Sequence, residues 1–365
     1  METDQLFRTL ADHQGSDLFL KVGARPFVRV NGRLEAWGSE RLSRADVLQF
    51  AYDLMGPERQ QLFQSQRELN FAFERPSVGR FRANVLWQRG SLALVIRRIQ
   101  ADIPTFEQLH LPVVVLTRLA QERRGLVLIS GPTGSGKSTT VAAMLEHINR
   151  TTACHIVTLE DPIEFLFEEQ ESVINQREVG VDTRSFSEGL KNVLRQSPDV
   201  LFISDLRDRE AMESALLAAE SGQLVLSCIH TTSAVTTIER VATFFPPHQL
   251  ETIRFRLSLV LKGIISLRLL PRRTGDLIPA CEVLVMSPAI RELLREGKTH
   301  EIPARLREGA LHGMQTLTQA LYELVHKGEV SMEEALQVAD SPEDLQLAVK
   351  EIRPTKDVES SPHFR

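Results

Sequence analysis

Three observations predict an α/β fold with a smaller α+β domain ahead of it and a helical region behind. Between about residues 113 and 285, strand-like apolar runs alternate with helical stretches, the pattern of a mostly parallel sheet flanked by helices. Within that span, Gly131-Pro132-Thr133-Gly134-Ser135-Gly136-Lys137-Ser138-Thr139 fills every fixed position of the pattern G-x-x-x-x-G-K-[ST]. After Ser287 the sequence turns helical, at 288–295, 314–327 and 331–339.

Taken in order, residues 1–100 read as a small α+β domain. Strands are expected at 17–20 and 26–30, and Asn31-Gly32 is a hairpin signal. Helices are expected at 46–54 and 57–63, broken at Met55-Gly56-Pro57. The runs 80–87 and 91–99 read as a strand pair around Gln88-Arg89-Gly90, and 101–112, with Pro104 and Pro112, as a linker. In the central domain, 113–286, strands are expected at 126–129, 155–159, 200–203 and 224–229. The C-terminal helices occupy 287–351, and the polar stretch 352–365 is expected to be disordered.

Composition narrows the function. The 365 residues are 42% hydrophobic and 25% charged, ordinary for a soluble globular protein. A formal net charge of -5 provides no global footprint for nucleic acid. No apolar run approaches the ~20 residues needed to cross a bilayer. The start Met1-Glu2-Thr3-Asp4 lacks a signal-peptide apolar segment, so a cytoplasmic protein is expected. Cys154, Cys228 and Cys281 are far apart with no C-x-x-C pair, which argues against zinc and for reduced, buried core thiols.

The glycine-rich stretch carries the first chemistry. Leu126-Val127-Leu128-Ile129 reads as a buried strand entering it, and Val141, Met144, Leu145 and Ile148 recur at helical spacing after it. Glycines at 131, 134 and 136 let backbone N–H groups turn inward around phosphate oxygens. The helix N-terminus adds partial positive charge. Lys137 is placed to reach β- and γ-phosphates and the Ser138 hydroxyl to bind Mg²⁺. A nucleoside triphosphate is the expected ligand.

Three further strand ends carry polar groups. Leu159-Glu160-Asp161-Pro162-Ile163-Glu164 places three acids just past a strand, where an open α/β sheet gathers its ligand chemistry. Glu164 or Glu160 is suited to orient a water and accept its proton. The apolar run ending in Ser204-Asp205 has the Walker B arrangement, with Asp205 as Mg²⁺ carboxylate. Leu226-Ser227-Cys228-Ile229-His230-Thr231-Thr232 delivers His230 from another strand end, suited to sensing the γ-phosphate.

These elements, in this order and spacing, resemble the secretion ATPase superfamily, and within it the PilT/PilU family of type IV pilus retraction ATPases. The matching runs are GLVLISGPTGSGKSTTVAAML, HIVTLEDPIEF, NQREVGVDT, LKNVLRQSPDV and LSCIHTTSA. The resemblance extends from Ser16 to about Lys350, and GMQTLTQALYELVHKGEVSMEEALQVADSPEDL is closer to PilU than to PilT. It implies a RecA-like core, a PAS-like N-terminal domain and hexameric rings with ATP between the two domains. It also implies Mg²⁺-dependent ATP hydrolysis coupled to pilus retraction and twitching motility. The implied partners are further copies of the chain, a sister retraction ATPase and the inner-membrane pilus platform protein. That would place a cytoplasmic protein peripherally at the inner membrane.

Carried over by residue, the resemblance makes Gly131 to Thr139 the ATP-binding loop, with Ser138 and Asp205 toward the metal. It makes Glu164 the general base and His230 the second histidine of a histidine box. Arg82 and Arg97 match the region whose arginines reach ATP, where they would neutralise phosphate charge. Ala289-Ile290-Arg291-Glu292-Leu293-Leu294 resembles the AIRNLI motif associated with retraction.

Two positions depart from the family pattern. Ser204-Asp205 stands where Gly-Glu is usual, and Gly222-Gln223 where Gly-His is usual. Aspartate is one methylene shorter, and Gln223 does not titrate near neutral pH. Both departures bear on hydrolysis rather than binding, and admit an accessory ring that depends on a partner ATPase. A pilus-extension or type II secretion ATPase would usually carry a tetracysteine zinc insertion, which this chain lacks. A nucleic-acid motor is disfavoured by the acidic balance and the lack of an aromatic stacking platform.

Overall fold

The computed structural model describes residues 3–13, 15–30, 33–76, 78–99 and 102–351. The Asn31-Gly32 turn and the 352–365 tail lie outside the described residues. The chain divides into two compact units. The first comprises Met1–Ile103 together with Ile163–Phe167, and the second Pro104–Pro162 together with Glu168–Arg365.

The first unit starts with helix α1 (Thr3–Asp12) and strands β1 (Asp17–Lys21), β2 (Phe27–Val30) and β3 (Arg33–Ala36). Helix α2 (Arg44–Gln66) and strands β4 (Glu68–Arg75), β5 (Gly79–Gln88) and β6 (Ser91–Arg98) follow. The strands form an antiparallel sheet in the order β3-β2-β1-β6-β5-β4. Alternation decides its faces. Phe81, Ala83 and Val85 of β5 are buried while Arg82 and Asn84 between them are not, as a one-sided core requires. Phe7 of α1 is fully buried against the rings of Phe50, Phe73 and Phe81 at 4.7–5.9 Å. Ser43 and Asp46 cap α2 reciprocally. The expected break in α2 is present, since Gly56 adopts φ 64° and ψ 174° immediately before Pro57.

In the second unit, α3 (Val113–Ala120), β7 (Gly125–Ser130), α4 (Lys137–Thr151), β8 (His155–Glu160) and β9 (Val173–Glu178) come first. Next are α5 (Phe186–Val193), β10 (Val200–Ile203), α6 (Arg209–Glu220), β11 (Leu224–Ile229) and α7 (Ala234–Thr243). Then follow α8 (Leu250–Val260), β12 (Leu261–Pro271), β13 (Leu277–Val285), α9 (Pro288–Glu296) and α10 (Ile302–Glu308). The last helices are α11 (Leu317–His326), α12 (Met332–Val338) and α13 (Pro342–Glu351). The sheet order is β13-β12-β7-β11-β10-β8-β9, all neighbours parallel except β12 with β13. β7 and β11 are buried at every position, which is why both read as unbroken apolar runs.

The expected α/β class and the four expected core strands are present. Strands β4, β9, β12 and β13 went unread. In β4, charged and amide residues alternate with apolar ones, and β9 is polar over its last four positions, Asn175-Gln176-Arg177-Glu178. The helix expected at 314–327 begins at Leu317, because Gln315 instead bridges Val283 of β13. Cys228 and Cys281 are buried as expected, whereas Cys154 precedes β8, is only half-buried and sits 3.3 Å from Ser172 Oγ. Helices α11, α12 and α13 share one apolar cluster with β12 and β13, built on Leu270, Ile278, Leu317, Leu321, Val330 and Leu345.

Candidate functional site

Parallel pairing brings the C-terminal ends of β7, β8, β10 and β11 to one edge of the second unit's sheet. The glycine loop leaves β7, Asp161 follows β8, Ser204-Asp205 follow β10 and His230 follows β11.

The loop is built for close approach. A Cβ on Gly131 would lie 2.3 Å from Ser135 Oγ and 2.7 Å from the Leu267 carbonyl, so no side chain fits there. Gly136 caps α4 at φ 93°, in the left-handed region that favours glycine. The first helical bond runs from Thr140 N–H to the Gly136 carbonyl at 2.9 Å. The N–H groups of Lys137, Ser138 and Thr139 precede it and point out of the helix end. Ser135 Oγ is buried with no partner among the described residues. Outward N–H groups, an unsatisfied hydroxyl and a cradle that a Cβ would fill together fit a phosphate chain. Pro132, Thr133 and Gly134 form the exposed crest of the loop.

Lys137 Nζ donates to the carbonyls of Gly131 and Pro132, both at 2.9 Å, and lies 3.4 Å from His230 Nδ1. An ammonium has only donors, so Nδ1 accepts and the imidazole proton sits on Nε2. That nitrogen faces Asp205 Oδ2 at 3.6 Å. Arg207 Nε donates to the same oxygen at 3.0 Å, and a terminal nitrogen of Arg207 donates to Asp161 Oδ2 at 3.2 Å. The hydrogen bond to Asp205 chiefly, and the Asp161 charge with it, raise the Arg207 pKa. A lysine, a histidine, two aspartates and an arginine thus form one chain of contacts at the sheet edge.

Ser138 Oγ at the start of α4 and the Asp205 carboxylate past β10 are oxygen donors of the kind a divalent cation takes. Among the described residues no cluster of three or more His, Cys, Asp or Glu could hold a metal alone. That donor set suits Mg²⁺, which takes one or two protein oxygens and completes its shell with phosphate and water.

Of the residues singled out in the sequence, the structure brings together Gly131 to Thr139, Asp205 and His230. Glu164 is exposed on the stretch 163–167, which belongs to the first unit. Arg82 and Arg97 are cross-strand partners on β5 and β6 of that unit. Arg97 Nε donates to Asp17 at 2.8 Å, and Asp17 is also paired with Arg29 at 3.3 Å.

Two readings of the sequence change. Glu160 is not exposed to orient water: it is 5% exposed and accepts from Thr158 Oγ1 at 2.7 Å and Gln176 Nε2 at 3.2 Å. Gln223 precedes β11 at its N-terminal end, about 20 Å along the strand from His230 at ~3.3 Å per residue. Its exchange for histidine therefore leaves the phosphate-loop edge of its own chain untouched. Arg207 went unnoticed, although the run Ser204-Asp205-Leu206-Arg207 places its cation two residues beyond the acid. The buried hydroxyl pair Ser130–Ser266, at 2.7 Å beneath the loop, joins residues 136 apart and had no local signal.

Comparison with known proteins places the whole chain rather than single residues. Residues 68–354 match the family model of type II/IV secretion system proteins. The chain is 40% identical over 351 residues to the type IV pilus ATPase PilU of Pseudomonas aeruginosa, covering 96% of this chain and 92% of that protein. It is 41% identical over 344 residues to the retraction ATPase PilT of the same organism, covering 94% of this chain and 100% of that protein. A crystal structure of the pilus retraction motor PilT with bound ADP superposes with a TM-score of 0.89 at 42% identity, covering 95% of this chain and 99% of that one. Fold and extent of match agree, and the chain belongs to the type II/IV secretion system protein family, in its branch of PilT and PilU retraction ATPases.

Proposed function

We propose that this protein is an ATP-hydrolysing motor of type IV pilus retraction, working as a homo-hexameric ring at the inner-membrane face of the pilus machinery. The observation that carries the proposal is the phosphate loop with Lys137, His230 and Asp205 converging on it. Its full-length likeness to retraction ATPases directs that chemistry to the pilus. Among the described residues, no helix is long and apolar enough to cross a membrane, so attachment would run through the pilus platform protein.

In this reading the N–H groups at the start of α4 receive the β-phosphate oxygens. Lys137 Nζ turns from the carbonyls of Gly131 and Pro132 to the β- and γ-phosphates. Ser138 Oγ and Asp205 would hold Mg²⁺, which supplies charge neutralisation to the phosphates. Glu164 takes the proton of the attacking water. His230, fixed between Lys137 and Asp205, reports whether the γ-phosphate is present. Arg82 and Arg97 are proposed to approach ATP as neutralising cations.

The test is steady-state ATP hydrolysis with Mg²⁺, beside Lys137→Ala. Turnover that the substitution removes supports the proposal, and turnover that survives it overturns the loop assignment. A second reading, an accessory ring, is favoured by one observation. The short carboxylate of Asp205 is already held by Arg207, which competes with a cation for Oδ2. ATP binding without turnover, with turnover recovered on adding a sister retraction ATPase, would establish that reading instead.

A further inference from the structure

Two polar side chains beneath the His230 loop are not used by the chemistry above. Arg268 lies on β12 and Glu282 on β13, on the same sheet face. Ser266 pairs directly with Glu282, and Ser266 Oγ accepts from Ser130 Oγ at the root of the phosphate loop.

Each strand reaches in two directions. Glu282, only 9% exposed, accepts the N–H of Ala234 at 2.6 Å, the first residue of α7. On either side of Glu282, the Cys281 carbonyl accepts from Gln315 Nε2 at 2.7 Å and Val283 bridges the Gln315 backbone, two residues ahead of α11. Three consecutive residues of β13 therefore hold the start of the helix that follows the His230 loop, through Glu282, and the approach to a C-terminal helix, through Cys281 and Val283. Arg268, with a side chain 15% exposed, donates to the Val338 carbonyl and to Asp340 Oδ1 where α12 ends. It also donates to the Thr232 carbonyl, two residues past His230, at 3.4 Å.

We infer that Arg268 and Glu282 are positioning residues through which helices α11 and α12 set the place of the His230 loop and so the rate of turnover. A loop has few internal constraints, and here its far side is fixed by a guanidinium fork and a buried helix-capping carboxylate. Moving Val338, Asp340 or the approach to α11 moves those anchors. Anything that binds the C-terminal helices would then change hydrolysis without touching nucleotide. The link to turnover rests on the ATPase reading above; the mechanical link between helices and loop does not.

Hydrogen exchange by mass spectrometry on the full-length protein, combined with kinetics, tests both parts. Asp340→Asn removes the anionic end of the relay. It should raise deuterium uptake in a peptide spanning 230–238, lower kcat about three- to tenfold and leave the nucleotide dissociation constant within about twofold. Asp340→Glu should restore both. In a His230→Gln background, Asp340→Asn should leave kcat unchanged, because the two act in series. Uptake confined to 317–345, or an undiminished effect on kcat without His230, overturns the inference. If the wild type shows no turnover, exchange at 230–238 alone decides it, and only the ATPase reading falls. Arg268→Lys keeps the charge but loses the fork. It should act like Asp340→Asn, with an unfolding midpoint near that of the wild type.

Discussion

The two ends of α4 carry two polar clusters that differ in what they leave open. In the cluster at the C-terminal end, which does not include the unpartnered Nε2 of His147, Asn149 is fully buried and each polar group of its side chain has a partner. Its amide donates to Glu146 Oε2 at 3.1 Å and to the Glu168 carbonyl at 2.8 Å, and its oxygen accepts the N–H of Gln170 at 3.1 Å. Glu146 is closed by Arg150 at 2.7 Å and Gln170 at 2.8 Å. At the N-terminal end, Lys137 rests on two carbonyls and Ser135 Oγ has no partner among the described residues. Ser204 Oγ, beside Asp205, is likewise buried and without one. A closed network fixes a structure, whereas an open one has bonding capacity left for a ligand.

The contrast can be broken from either side. Lys137→Ala should have the largest effect, a loss of roughly 10²–10³-fold or more in turnover, as for removal of one charge-stabilising donor. Phosphate release measures it, and that loss should far outweigh any change in the unfolding midpoint. Asn149→Ala should do the reverse. It strands the Glu168 carbonyl and the Gln170 N–H, at about 1–3 kcal/mol for each buried group left unpaired. A thermal or urea midpoint that falls clearly, with Kd for nucleotide nearly unchanged, would sharpen the comparison; an unmoved midpoint would refute the closed-network account.

Arg207→Gln is expected to have an intermediate effect, changing kcat by about tenfold as Asp205 loses its nearest cation, an exposed contact that stabilises little by itself. The direction separates the two functional readings: a rise means that Arg207 was holding the acid back from Mg²⁺, a fall that it was aiming it. The smallest change is expected for Asp205→Glu, which should preserve or raise hydrolysis, since glutamate restores the usual reach. A collapse in rate with an intact fold would mean that the pocket is built around aspartate.

The open end was legible in the sequence and the closed end was not, for a physical reason. A phosphate loop is a local device, in which spacing along nine residues fixes backbone geometry and the side chains that chemistry requires. Strands β7, β10 and β11 were equally plain because burial on both faces leaves unbroken apolar runs. Asn149 bonds a carbonyl 19 residues away, and Glu282 an amide 48 residues away, so no window of sequence contains either pair. Glu160 was misread because an acid at a strand end looks the same whether Thr158 and Gln176 close over it or not. Arg82 and Arg97 were visible as strand cations, but only the register shows them opposed, with Asp17 opposite Arg97 on the next strand.

One feature of the chain path bears on how the protein can be taken apart. Residues 163–167 belong to the first unit although their neighbours on both sides belong to the second. A gene fragment starting at 104 would carry this stretch away from the body it belongs to. Ile163 and Phe165, 2% and 8% exposed in the whole chain, would then meet water. Such a fragment should be prone to self-association. A cut made at 103 would likewise leave residues 163–167 covalently attached to the second unit and 1–103 covalently attached to neither. To a protease or a cloning strategy, no single cut follows the boundary between the two units.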